Sequence, residues 1–153
     1  ASALDIPVST GENEHDRWAF RDLLALGDPD ILQPDILDAG GITEVRRIFD
    51  LAAAHGKPVM PHSPATGILL AASTQLYSTV TTASQPHELS TEYGPTPEQL
   101  AELFGPNVLP HDGTITLSDA PGLGLTLDER VLARLTGPVD PDAFAMTRPR
   151  DLA

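Results

Sequence analysis

Four times along this chain a short apolar run ends on a titratable residue and gives way to a loop and a helix-forming stretch. The clearest example is Pro58-Val59-Met60-Pro61-His62, followed by Ser63-Pro64-Ala65-Thr66-Gly67 and a small-residue run from Ile68 to about Thr79. Upstream, Asp5-Ile6-Pro7-Val8-Ser9-Thr10-Gly11 leads to Glu12, and Asp30-Ile31-Leu32-Gln33-Pro34 leads to Asp35. Downstream, Ser84-Gln85-Pro86-His87 leads to Glu88, which makes a fourth strand end. The terminal residues follow one another at 23, 27 and 26 positions. Strand, loop and helix repeated in this order require parallel strands joined by helical crossovers. The second run is almost wholly apolar, as a parallel strand covered on both faces must be. The expected fold is therefore α/β, with one polar group delivered by each unit to the same face.

The spacing narrows the architecture. A TIM-type barrel of eight strand-helix units uses about 31 residues for each. About four consecutive units fit here, which is half of such a barrel. The helices support this reading. One is expected from about Asp16 to Leu26, with Phe20 and Leu24 on one face and Gly27 and Pro29 ending it. A second, opened by Gly40-Gly41, runs from Thr43 to His55; Val45, Ile48, Phe49, Ala52 and Ala53 follow the i, i+3, i+4, i+7, i+8 pattern, and Gly56 terminates it. After residue 95 the pattern changes. Thr96-Pro97-Glu98-Gln99 is a capping box with proline at the first helical position, opening a helix to Phe104. His111-Asp112-Gly113 is a turn before an expected short strand from Thr114 to Leu117, and a last helix runs from about Asp128 to Leu135. The expected division is 1–95 for the strand-helix units, 96–136 for a helix-strand-helix extension, and 137–153 for a proline-rich surface arm.

Charge and composition limit the partners. The net charge of −13 disfavours nucleic acid and anionic membrane, because both repel an acidic chain. The 153 residues contain no cysteine, so thiol chemistry and thiolate zinc sites are excluded and a cytoplasmic setting is expected. No run approaches the length of a membrane-spanning helix, and no basic-then-apolar leader pattern is present.

Each strand-end residue has a chemical and a plain reading. Glu12 is a hard oxygen donor suited to magnesium, or an ordinary strand-end carboxylate. Asp35 and His62, on adjacent strands, suit an imidazole base whose tautomer a carboxylate fixes, or a hydrogen-bonded pair that only closes the rim. Glu88 suits hydrogen bonding to a developing oxyanion, or is a solvated loop acid. His55, His87 and His111 are expected to make local or surface bonds; His15 does too, but follows Glu12 on the active face. A zinc site is disfavoured, since no two histidines stand at i, i+4 on a helix.

The motifs in order carry a resemblance. Gly11-Glu12-Asn13, Asp30-Ile31-Leu32-Gln33-Pro34-Asp35, Gly40-Gly41-Ile42-Thr43-Glu44, Pro61-His62 and Asp119-Ala120-Pro121-Gly122-Leu123-Gly124 together resemble the mandelate racemase and muconate lactonizing branch of the enolase superfamily. The likeness covers about residues 5 to 135 and falls on the C-terminal half of that family's barrel, most like its acid-sugar dehydratases. It implies a magnesium-dependent enzyme that removes the proton α to a carboxylate. Glu12 would match the third metal-binding carboxylate, Asp35 and His62 the Asp-His dyad, and Glu88 the last-strand carboxyl, with Glu92 close enough to compete. A racemase or cycloisomerase would use the same dyad.

Departures from the family pattern matter equally. The Lys-x-Lys motif, two further metal carboxylates and the N-terminal α+β capping domain are not in this sequence. Lys57, the single lysine, precedes its strand and belongs on the opposite face. The resemblance therefore implies half an enzyme: inactive alone, completed by an N-terminal half or chain against which the 96–136 extension would pack, and forming a homo-oligomer. An alternative of another class is a catalytically incomplete half-barrel that serves only in assembly.

Overall fold

The computed structural model describes residues 3–81, 83–90, 94–105 and 108–136. Strand β1 (Ser9–Thr10) is followed by helix α1 (Asp16–Leu26), strand β2 (Ile31–Leu32) and helix α2 (Ile42–Ala54). Helices α3 (Ile68–Tyr77), α4 (Pro97–Phe104) and α5 (Glu129–Thr136) complete the order. β1 and β2 pair in parallel, Ser9 opposite Ile31 and Thr10 opposite Leu32. Residues 58–62 continue the parallel arrangement beyond β2, with Leu32 opposite Val59 and Asp35 opposite His62.

The regular strands are shorter than the apolar runs that build them, and proline explains why. Pro34 lies in the second run and Pro58 and Pro61 in the third, each removing a backbone donor from the ladder. What remains is a set of single bonds: Leu32 N–H to Pro58 O at 3.1 Å, Met60 N–H to Leu32 O at 2.9 Å, and His62 N–H to Pro34 O at 3.0 Å. These still fix the register. The fourth run is tied more loosely, by Ser90 N–H to Ser63 O at 3.2 Å.

Helices cover one side of this layer. α1 buries Phe20 and Leu24, and α2 buries Val45, Ile48, Phe49 and Ala52 as their periodicity predicts, while Ala53, expected with them, lies at the edge of that face and is exposed. They pack with Leu32, Ile36 and Val59 into one core, which Leu69, Leu76 and Tyr77 of α3 extend. Asp16 Oδ1 caps α1 by accepting from Trp18 N–H at 2.8 Å and Ala19 N–H at 3.1 Å. Gly11 carries the turn from β1 towards α1. Its φ is +122°, and a Cβ there would lie 2.7 Å from the Phe20 ring, so glycine is required both conformationally and sterically. α3 ends at Tyr77, two residues before the expected stop.

The extension keeps its predicted helices. The capping box of α4 is formed, with Gln99 N–H donating to Thr96 Oγ1 at 3.3 Å and Thr96 N–H to Gln99 Oε1 at 2.8 Å. Asp128 Oδ1 caps α5 through Arg130 N–H, while its own N–H bonds Leu103 O at the end of α4. The expected strand from Thr114 to Leu117 does not form. It is reduced to one antiparallel bridge between His111 and Thr114, because among the described residues no second strand lies beside it. Residues 137–153 lie outside the described part, and with them the expected surface arm. No helix among the described residues is long and apolar enough to cross a membrane.

Tyr77 and His87 hold the fourth run to the third. The Tyr77 hydroxyl lies 2.9 Å from Val59 O and 2.8 Å from Gln85 O, so its one proton serves both segments. Its ring meets Phe49 and His87 edge-on, at centroid distances of 6.2 and 5.7 Å. Glu88 O accepts from His87 Nδ1–H at 2.6 Å; the ring is thus the tautomer whose Nε2 accepts from Ser73 Oγ–H at 2.8 Å. Replacing Tyr77 with Phe should lower the unfolding free energy by about 1–2 kcal/mol, because two carbonyls lose their shared donor; an unchanged denaturant midpoint would remove this link. Burial holds the His87 imidazole below its ordinary value of 6.5, against the opposing pull of the Glu88 carbonyl and charge. The unfolded chain therefore takes up a proton at His87 as pH falls below 6.5, while the folded chain resists it. Stability from this source is complete above 6.5 and declines as pH drops toward the lowered folded value. His87→Asn should flatten the fall in urea midpoint between about pH 7 and pH 5.5, and a wild-type slope in the variant would contradict the argument.

Candidate functional site

The carboxyl ends of the parallel runs carry the polar residues singled out by their spacing. Asp35 follows β2, and the parallel register sets it directly opposite His62. Asp35 Oδ2 lies 2.9 Å from His62 Nδ1. The carboxylate side chain is 3% exposed and the imidazole 23%. Asp35 Oδ1 is occupied by Leu37 N–H at 2.7 Å, which folds the chain tightly back after the strand. A carboxylate so placed accepts from both neighbours. His62 therefore donates through Nδ1, and its Nε2 is left as the ring nitrogen available to a ligand.

Glu88 is placed beside the same two strands. Its Oε2 accepts from Ser63 N–H at 3.1 Å, one residue after His62, and from Gln33 Nε2 at 2.9 Å, two residues before Asp35. Glu88 is half-buried and thus not the freely solvated loop acid of the plain reading. Gln33 continues the chain of contacts, accepting at Oε1 from Ser9 Oγ–H at 2.8 Å on β1. One network thereby links β1, β2, residue 63 and residue 88. Sequence reading did not single out Gln33 or Ser9. Alternation was the available signal, since side chains two apart on a strand share a face and Gln33 is the polar residue two before Asp35.

Glu12 stands apart from these contacts. It accepts from Gly11 N–H at 3.2 Å and from Asn13 Nδ2 at 3.0 Å, both local. Among the described residues no group of three or more His, Asp or Glu side chains is arranged to hold a metal ion. Glu12 alone fits a hard cation as a single oxygen ligand, half-buried at a strand end, and the other ligands would have to come from elsewhere. Glu92 lies outside the described residues. His15 Nδ1–H donates to Asp38 O at 3.0 Å and ties the start of α1 to the turn that follows Asp35. His111 pairs with its neighbour Asp112 at 3.3 Å in an exposed turn. Lys57 pairs with Asp28 at 2.6 Å, at the amino ends of the runs and away from the site.

Comparison with known proteins gives this arrangement a lineage. The family model described as Enolase C-terminal domain-like matches residues 1–131. The chain is 38% identical over 139 residues to L-rhamnonate dehydratase of Saccharopolyspora erythraea, covering 88% of this chain and 33% of that protein. It is 36% identical over 138 residues to D-galactarolactone cycloisomerase of Agrobacterium fabrum, covering 87% of this chain and 36% of that protein. A crystal structure of a mandelate racemase/muconate lactonizing protein from Paracoccus denitrificans, complexed with magnesium, superimposes with a TM-score of 0.77 at 36% identity, covering 88% of this chain and 35% of that one. The chain thus spans about a third of the length of the curated relatives it matches. It belongs to the enolase C-terminal domain-like family, as the parallel strand-helix units and the order of their motifs had indicated.

Proposed function

We propose that this chain supplies the proton-transfer half of a magnesium-dependent enzyme that takes the proton α to the carboxylate of an acid sugar and expels water. The hydrogen bond between the half-buried His62 imidazole and the buried Asp35 carboxylate, 2.9 Å long, carries the reading. In this scheme residues 1–95 form half of a (β/α) barrel. The 96–136 extension packs against a capping domain that, with the other half of the barrel, comes from the rest of the polypeptide or a second chain. The complete enzyme is a homo-oligomer.

The chemistry follows from the bonds already described. His62 holds a proton at Nδ1 for Asp35, so its Nε2 lone pair takes the α-proton as the C–H bond breaks. The imidazolium that results lies against a carboxylate buried for it. Asp35 does not need to take the proton itself, because its charge stabilises the ring cation where it forms. For dehydration, His62 Nε2 returns its proton to the departing hydroxyl as the C–O bond breaks; water leaves, and the enol product tautomerises to the ketone. Glu88 directs its second oxygen, free of protein donors among the described residues, to the substrate carboxylate. Glu12 would contribute one oxygen ligand to magnesium. When bound, that ion supplies positive charge that acidifies the α C–H and stabilises charge on the substrate oxygens.

The likeness to a D-galactarolactone cycloisomerase supports a second reading. In it the same His62 transfers the same proton but no water is lost, and product analysis separates the two.

In the complete protein, His62→Asn should lower α-proton exchange with deuterated water by at least about a hundredfold, with magnesium affinity unchanged; undiminished exchange would exclude His62 as the base. Asp35→Asn should also slow exchange, by about a hundredfold or more, because an amide can donate to Nδ1 and force the proton onto Nε2. Glu12→Gln should weaken magnesium binding about tenfold or more by calorimetry, and equal affinity would exclude it as a ligand.

A further inference from the structure

We infer that Gln33 is a positioning residue for Glu88, turning one of its carboxyl oxygens into a fixed anchor and the other into the oxygen that faces substrate. This deepens the proposed function and rests on it for the role of Glu88. The contacts of the Gln33 amide fix its orientation. Glu88 Oε2 accepts from Ser63 N–H and can only accept again, so the Gln33 amide atom that meets it at 2.9 Å is the donor Nε2. The opposite atom is then Oε1, which accepts from Ser9 Oγ–H at 2.8 Å. An amide turned the other way would set two acceptors against each other at Glu88.

The second anchor is the peptide itself. Ser63 N–H meets the same Oε2 at 3.1 Å. Two donors from different strands converge on one oxygen, so rotation of the carboxyl group is blocked. Oε1 accepts from no described residue. A proton carried by Glu88 can therefore reside only on Oε1, where it can be shared with a substrate oxygen. Gln33 spans 55 positions of sequence to make this contact and stands on the same strand as Asp35, which couples the orientation of Glu88 to the strand that holds the base. Gln33 itself needs no contact with substrate.

The test uses the complete enzyme with magnesium and an acid sugar that it dehydrates. Gln33→Met keeps the length of the side chain and removes both polar atoms; Gln33→Glu keeps the shape and replaces the donor facing Glu88 by an acceptor. Both should lower kcat about tenfold or more while KM changes by less than about threefold, with melting temperature held within about 2 °C. Combined with Glu88→Gln, Gln33→Met should cause no further loss, since a positioning residue has nothing left to position. Crystal structures of the two single variants should show the Glu88 carboxyl displaced from Ser63 N–H. Full activity in both variants, additive losses in the double variant, or an unmoved Glu88 carboxyl would each overturn the assignment. The crystallographic comparison decides the role of Gln33 even if the wild-type protein dehydrates no acid sugar, an outcome that would overturn the proposed function alone.

Discussion

Everything at the site depends on one hydrogen bond between two strands that never pair continuously. Asp35 is almost fully buried, and a buried carboxylate is costly unless both oxygens find donors. One oxygen takes Leu37 N–H from its own turn; the other takes the imidazole of His62. The single bond from His62 N–H to Pro34 O sets the two side chains level, where a slip of one residue would turn His62 to the opposite face. The helical core is what keeps that register. Leu32 and Val59 face each other in the strand layer and are packed under α1, α2 and α3, so the apolar contacts behind the strands fix the polar contact at their ends.

The fold was legible where local rules and burial agree. The faces of α1 and α2, the capping box of α4 and the repeated run-loop-helix order follow from periodicity, and the packing respects them. Strand lengths were not legible, because an apolar run is read the same whether or not prolines remove its donors. Residues 114–117 show the complementary failure: their pattern suits a strand, but a strand needs a neighbour, which no local pattern specifies.

The site divides in the same way. Asp35 and His62 could be read from their positions at successive strand ends, since parallel pairing makes such residues neighbours. Glu88 could be located but its bonds could not, because they depend on Gln33, 55 residues distant. Gln33 carries no motif of its own; only its placement two residues before Asp35 sets it on the polar face. Glu12 could be located as a strand-end carboxylate, only the resemblance matched it to a third metal carboxylate, and its observed bonds to Gly11 and Asn13 are local. The face built by the described residues is acidic, with the one lysine bound to Asp28 at the far end of the strands. The described residues place one half-buried carboxylate, Glu12, at the first strand end and no lysine near it, and the chain spans about a third of the length of the curated relatives it matches.

The central claim is that Asp35 fixes the His62 ring with its proton on Nδ1 and a lone pair on Nε2. Long-range proton–nitrogen correlation spectra of the neutral ring, with histidines labelled by 15N and His62 assigned by its Asn variant, measure this directly. The account predicts a protonated, pyrrole-type Nδ1 and an unprotonated, pyridine-type Nε2. A protonated Nε2 in the neutral ring would contradict it, since that nitrogen could not then accept a proton from carbon.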